Sequence, residues 1–339
     1  MHSRFGVKDC DKREMLGVRR EWSEDGKYLE FTMPGFIEHT VERFKDYVSL
    51  TVKRTVPFPQ GEMLIRGLVS KSESKRVLDR GLRELCGCLL WLWRMAMPLL
   101  GPGVNQVCKM MSAPDERTWE CAVWLLEFAY QHREKGVRFC REGNHVPHTF
   151  YDSGGAPDPN DMKSQHGHLV YVAGGPVLHT SKKHRHTPCA GTMGKEWQAC
   201  GYAVKDTVYV RMLMQDAGML PRVAPPSIVT GDNRLTVGFA TEKKTTANMK
   251  HVREMYMLTR EWEESGDLVA EWIGTLHNPS DLCSKPVTKQ AIDSLGDTAT
   301  GYCDTPYNPE NRPRRQGVRS RRETVDWTKL GRLDSVLDS

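Results

Sequence analysis

Four carboxylates, Asp152, Glu196, Asp232 and Asp281, stand where they can meet although up to 129 residues separate them. Asp152 ends the strand-like run HTFYDS, and Glu196 falls in the first turns of the helical stretch GKEWQACGYAVKDTVYVRMLMQDAG. Asp232 follows the strand-like run SIVTG, and Asp281 opens the helical stretch PSDLCSKPVTKQAIDSL. Carboxylates gathered at one spot raise one another's pKa and repel, unless a cation lies between them. Magnesium suits that place, because it takes oxygen ligands, keeps several waters and accepts phosphate oxygens from a substrate. Two such ions about 3.5 to 4 Å apart activate a water and stabilise the leaving oxygen of an in-line phosphoryl displacement. Singly, each acid has an ordinary reading: a strand-end Asp forms turns or caps helices, Ser280 competes with Asp281 for such a cap, and Glu196 suits a solvated helix face. The functional reading rests on the order of the four along the elements.

Those elements alternate from His145 onward. HTFYDS, HLVYVAGG, PVLHTSKK, PPSIVTGD and DLVAEWIG are strands, and helices fall after the third, fourth and fifth. The pattern implies an α/β unit: a mixed five-stranded sheet flanked by helices. The region before it is a smaller α+β and helical one. EMLGVRREW and KYLEFTMP are strands around the turn Ser23-Glu24-Asp25-Gly26, and GFIEHTVERFKDY is a helix. Residues 56–74 lose periodicity and gain Pro, Gly and Ser, as a linker does. VLDRGLRELCGCLLWLWRMAM and DERTWECAVWLLEFAYQHREKG are helices. Three segments result: 1–145, 146–295 and 296–339. In the last, Arg312, Arg314, Arg315, Arg319, Arg321 and Arg322 crowd a stretch poor in apolar residues, which predicts disorder.

With 339 residues and 39% hydrophobic content, the chain can bury two cores. A formal charge of +5 suits a polyanionic partner without demanding one. Ten cysteines without a Cys-x-x-Cys pair point to neither a zinc ribbon nor a secreted disulfide framework, and favour reduced thiols in an intracellular setting. The polar opening residues do not read as a signal peptide. The apolar run 85–100 is too short for a bilayer and holds Arg94 and Pro98, so no membrane partner is expected.

From Phe5 to about Pro286 the sequence resembles the end of the polymerase and the ribonuclease H domain of copia-type retrotransposon Pol polyproteins. KREMLGVRREWSEDGKYLEFTMPGFIEHTVERF resembles the segment after the polymerase palm, and RELCGCLLWLWRMAMP with VNQVCKMMSAPDERTWECAVWLLEFAYQHREKGVRF resembles the helical connection. In the ribonuclease H part, FYDSGG, KEWQACGYAVKD, VTGDNRLTV and NPSDLCSKPV put Asp152, Glu196, Asp232 and Asp281 at the family's four catalytic carboxylates. The resemblance implies a ribonuclease H-like fold preceded by a thumb or connection remnant. It also implies two Mg²⁺ ions, with Mn²⁺ as a substitute, and cleavage of the RNA strand of an RNA:DNA hybrid. Further partners would be the polymerase and integrase parts of the polyprotein, in a cytoplasmic particle or the nucleus.

This chain departs from the family pattern with Gly154 and Gly155 where a second acid and a Trp are usual, and with Thr192-Met193-Gly194-Lys195-Glu196 around the second carboxylate. It has no Tyr-x-Asp-Asp, so no DNA synthesis is expected. A catalytically silent remnant that still binds hybrid or duplex is the alternative, since altered surroundings can abolish activity while ligands remain. By the resemblance His277 is a candidate for proton transfer near the last carboxylate; a surface histidine in a turn is the plainer reading. Phosphate contacts are expected from Lys182, Lys183, Arg185, Lys243, Lys244 and Lys250, with His184 beside them. His166, His168, His179, His184 and His186 do not read as a zinc cluster; the stretch SKKHRHT, which holds His184 and His186, reads as a basic hairpin facing nucleic acid or solvent.

Overall fold

Two sheets, one of four strands and one of five, organise the described residues. The structure, a computed structural model, describes residues 13–155, 158–184, 192–234, 236–238 and 253–303. In the smaller sheet β1 (Glu14–Met15), β2 (Val18–Trp22), β3 (Tyr28–Thr32) and β4 (Val137–Cys140) lie side by side, all antiparallel. The expected strand EMLGVRREW is in fact a tight hairpin, because Leu16 and Gly17 both adopt positive φ, 56° and 79°. β4 is a strand that the sequence reading lacks; its partner β3 lies more than a hundred residues upstream.

Between β3 and β4 run α1 (Pro34–Arg43), α2 (Lys71–Asp79), α3 (Leu82–Met95), α4 (Gly101–Cys108) and α5 (Glu116–Gln131). α2 begins inside the expected linker, since the Ser70 hydroxyl accepts the Glu73 N–H at 3.1 Å and so caps it. Gly81, at φ 94°, breaks the single helix expected from Val77 and separates α2 from α3. The Asp115 capping box starts α5. These helices bury an apolar core that includes Leu82, Leu85, Leu89, Leu92, Val104, Leu125 and Leu126. The run 85–100 belongs to that core, and among the described residues no helix is long and apolar enough to cross a membrane.

The larger sheet has the order β7-β6-β5-β8-β9. Its strands are β5 (His148–Ser153), β6 (Gln165–Val172), β7 (Gly175–Lys183), β8 (Ser227–Gly231) and β9 (Leu268–Trp272). β5, β6 and β7 pair antiparallel, whereas β8 joins β5 and β9 joins β8 in parallel. This is the mixed five-stranded α/β sheet expected. α6 (Thr192–Asp216) and α7 (Arg253–Glu264) cover one face through Trp197, Cys200, Val204, Leu258 and Trp262. α8 (Asp281–Ser284) and α9 (Lys289–Thr300) cover the other through Leu282, Cys283, Leu295 and Ala299. The single last helix expected is thus two, because Lys285, ahead of Pro286, is held extended. α9 also runs past residue 295 to Thr300, and the basic tail lies outside the described residues.

Side chains bind the two regions together. The Asn105 amide donates to the Ser181 carbonyl at 2.6 Å, and Lys109 pairs with Asp158 at 2.9 Å. The Tyr302 hydroxyl, just past α9, donates to Glu30 on β3 at 3.3 Å.

Candidate metal centre

Every residue of β5 is buried, as befits a central strand covered on both faces. Alternation turns Tyr151 toward the α6 core and Phe150 toward the α8 and α9 core. Asp152 shares the Phe150 face and accepts a short hydrogen bond from the Ser284 hydroxyl at the end of α8. Gly167, paired with Asp152 across the β5–β6 ladder, lets α8 come this close: a Cβ there would stand 2.5 Å from the Cys283 Cβ. Gly231 at the end of β8 serves likewise for the Tyr151 ring, which a Cβ would meet at 2.3 Å.

Glu196 enters from the start of α6 and is 5% exposed. Asp232 follows β8, and its carbonyl accepts the Trp272 indole N–H at 2.8 Å. One carboxylate oxygen each from Asp152, Glu196 and Asp232 lie within 4.8 Å of one another. Asp281, the fourth expected ligand, is not in that group; it forms an ion pair with Lys285 at 3.0 Å. Its charge still acts on the others. Burial, then the Asp281 charge, pushes Asp152 up to about 7, against the Ser284 hydrogen bond that lowers it. Burial and the charges of Asp152, Asp232 and Asp281 push Glu196 up to about 9. Burial pushes Lys285 down, but Asp281, together with the charges of Asp152 and Asp232, outweighs it, so the lysine holds its proton more firmly than an ordinary one.

The Glu196 Oε2 atom is buried without a hydrogen-bond partner, a costly state for a carboxylate oxygen. With two further acid oxygens nearby and no nitrogen or sulfur in the group, the donor set suits a hard, oxygen-seeking divalent cation. The three acids therefore form a group that could hold a metal ion.

Other sequence candidates fall elsewhere. His277 occupies an exposed 3-10 turn, Thr275–His277. Lys182 is exposed at the end of β7, whereas Lys183 is held by Asp158 at 2.7 Å and Asp161 at 3.0 Å. Arg185, His186, Lys243, Lys244 and Lys250 lie outside the described residues. Lys195 turns to the Gly155 carbonyl at 3.4 Å. His184 contradicts the outward-facing hairpin expected of SKKHRHT, because it is buried, as are His166, His168 and His179 on β6 and β7. His166 stacks between His184 and Tyr202, with ring centroids 4.8 and 4.6 Å away, and His168 bonds Asp206 at 2.7 Å. β6 is covered on both faces, so its polar residues have no solvent side to turn to.

Three residues near the acids escaped the sequence reading. Ser284 and Lys285 hold Asp152 and Asp281, and the buried Asn278 donates to the Tyr151 carbonyl at 3.0 Å. Their only signal was proximity to Asp281 in NPSDLCSK.

No family model matches the chain. It is 22% identical over 297 residues to the retrovirus-related Pol polyprotein from transposon TNT 1-94 of Nicotiana tabacum, covering 85% of this chain and 22% of that one. To the Pol polyprotein from transposon RE2 of Arabidopsis thaliana it is 23% identical over 214 residues, 63% of this chain and 14% of the relative. Among solved structures, LC11-RNase H1 in complex with an RNA/DNA hybrid is 16% identical, with a TM-score of 0.31, over 43% of this chain and 97% of that one. The chain thus spans between about a seventh and about a fifth of the length of these curated relatives. Its homologues are retrovirus-related Pol polyproteins of copia-type transposons.

Proposed function

We propose that residues 146–295 cleave the RNA strand of RNA:DNA hybrids with two Mg²⁺ ions, Mn²⁺ serving in their place, and that residues 1–145 are a connection-like remnant of a reverse transcriptase. The observation that carries this reading is the meeting of Asp152, Glu196 and Asp232 at the ends of β5 and β8 and the start of α6. The bound ions would supply a nucleophilic water and charge stabilisation at the leaving oxygen. Asp152, Glu196 and Asp232 would hold them. Ser284 orients Asp152, the Trp272 indole fixes the backbone at Asp232, and Lys285 pairs with Asp281 beside the group.

Asp152→Asn and Asp232→Asn test the proposal on a labelled hybrid with magnesium. Each is expected to lose cleavage by several orders of magnitude while still folding. Cleavage by either purified variant at the parent's rate would end the assignment. The second reading, a silent binding remnant, draws on the Lys285 ion pair, which occupies Asp281. Hybrid binding by the unaltered chain with no magnesium- or manganese-dependent cleavage would select it.

A further inference from the structure

α3 carries Cys86 and Cys88, and a two-residue step turns about 200° around a helix, so the two face opposite ways. Cys86 points into the N-terminal core and is 3% exposed, whereas the half-buried Cys88 thiol bonds Thr40 on α1. α4 packs against α3, and its last residue, Cys108, lies against the same core while remaining partly exposed. The Cys86 and Cys108 thiols are hydrogen-bonded to each other. That bond and burial hold Cys86 above the ordinary thiol range, and the same bond draws Cys108 below it against burial. Among the described residues no other pair of thiols bonds in this way. Cys121, Cys200 and Cys283 are buried singly, as small hydrophobes are.

We propose that Cys86 and Cys108 form a reversible disulfide that locks α3 to the end of α4, with a low-molecular-weight disulfide such as oxidised glutathione as the oxidant. The inference goes beyond the nuclease reading and stands without it. Cys108, the more exposed of the two, gives its proton to solvent, and its thiolate attacks one sulfur of the oxidant; that S–S bond breaks and the first thiolate leaves. Cys86 then gives up its proton and attacks the Cys108 sulfur, which forms the internal bond and releases the second thiolate. The protein thereby loses two electrons and two protons, and the oxidant becomes two thiols. The new bond, about 2.05 Å long, requires the sulfurs to approach further, and Cys108 lies where a helix ends and its backbone yields most readily. Asn105 and Lys109, on either side of Cys108, reach Ser181 and Asp158 of the other region. Oxidation therefore stiffens the part of the core that meets the acid-bearing sheet.

The test places the full folded chain in glutathione buffers of rising oxidised fraction, blocks the remaining thiols with N-ethylmaleimide and maps disulfides by peptide mass spectrometry. The parent and Cys88→Ala should both give a linked pair of peptides holding Cys86 and Cys108. Cys86→Ala should stop at a glutathione adduct on Cys108, and Cys108→Ala should leave Cys86 at least about tenfold slower to react. The oxidised parent should unfold at a higher temperature, because the closed loop constrains the unfolded chain, and dithiothreitol should return it to the reduced value. If Cys86→Ala does not fold, the peptide maps of the parent and Cys88→Ala decide. Free thiols at Cys86 and Cys108 throughout the series would overturn the proposal, as would a link from Cys108 to Cys88.

Discussion

The two regions of the chain bury different kinds of atom. The N-terminal helices close over one continuous apolar core, from Val18 to Ala129, with few polar side chains inside it. The sheet that carries the acids instead divides its apolar residues into three smaller clusters. Polar pairs lie among them: Thr149 with Thr207 at 2.7 Å, His148 with Thr230 at 2.9 Å, Arg211 with Asp267 at 3.3 Å, and the histidine stack. One region is stabilised mainly by removing hydrocarbon from water, which depends little on pH or ions. The other holds titratable groups away from solvent, so its stability depends on what those groups bind.

The largest effect expected outside the acids is in the apolar core. Leu89, fully buried in α3, should cost about 2 to 5 kcal/mol when changed to Ala, because a cavity remains where its methyls were. Denaturant unfolding reads that loss, and metal affinity at the acids should stay within about twofold of the parent. Equal destabilisation of both functions would mean that the regions are not separable.

The second expectation concerns pH and metal. His184 is depressed to about 4 by burial, then by Lys195, and His166 is held well below its ordinary value by burial and its histidine neighbours. Unfolding lets both take protons near their ordinary value, so they cost stability as pH falls from about 6.5 toward 4. Asp152 and Glu196 are raised, so they favour the folded state at low pH and lose that advantage as pH climbs toward about 7 and about 9 respectively. Metal-free protein should therefore show amide exchange in β5, β6 and α6 that is slowest at mildly acidic pH and faster on either side. Magnesium should remove the alkaline arm only, since it binds ionised carboxylates. Exchange in α3 and α5 should change little. A flat profile in the sheet would show that the buried acids and histidines are better compensated than their surroundings imply.

The smallest effect belongs to the basic tail. Removing residues from 304 onward should leave the melting temperature unchanged and lower the salt slope of hybrid binding. The cut belongs there and not at Gly301, because Tyr302 bonds both Glu30 and the Gly136 N–H. Identical slopes with and without the tail would exclude it as a nucleic-acid contact.

What could be read in the sequence depended on whether a residue's role was local. Asp152 and Asp232 end strands whose apolar runs are visible in a few residues, and Glu196 follows a helix start, so their meeting followed from element order. β4 has only four residues and exists because β3 offers an edge more than a hundred residues away, which no local pattern records. His184 was misplaced outward because a basic run normally marks a solvated face; here α6 covers it and brings Tyr202 beside the rings of His184 and His166. Ser284 and Lys285 acquired roles only when α8 crossed Gly167, a contact set by the missing methyl of a glycine over a hundred residues upstream.

The Tyr302 contact with Glu30 spans 272 residues. At ribosomal speeds of about 5 to 20 residues per second, the tyrosine leaves the ribosome on the order of 10 to 60 s after the strand that it fastens. β3 and β4 can pair long before that. During synthesis the first sheet therefore waits with Arg138 and Glu30 joined to each other, at 2.6 Å in the finished fold, and receives its last ring only after the whole acid-bearing sheet has been made.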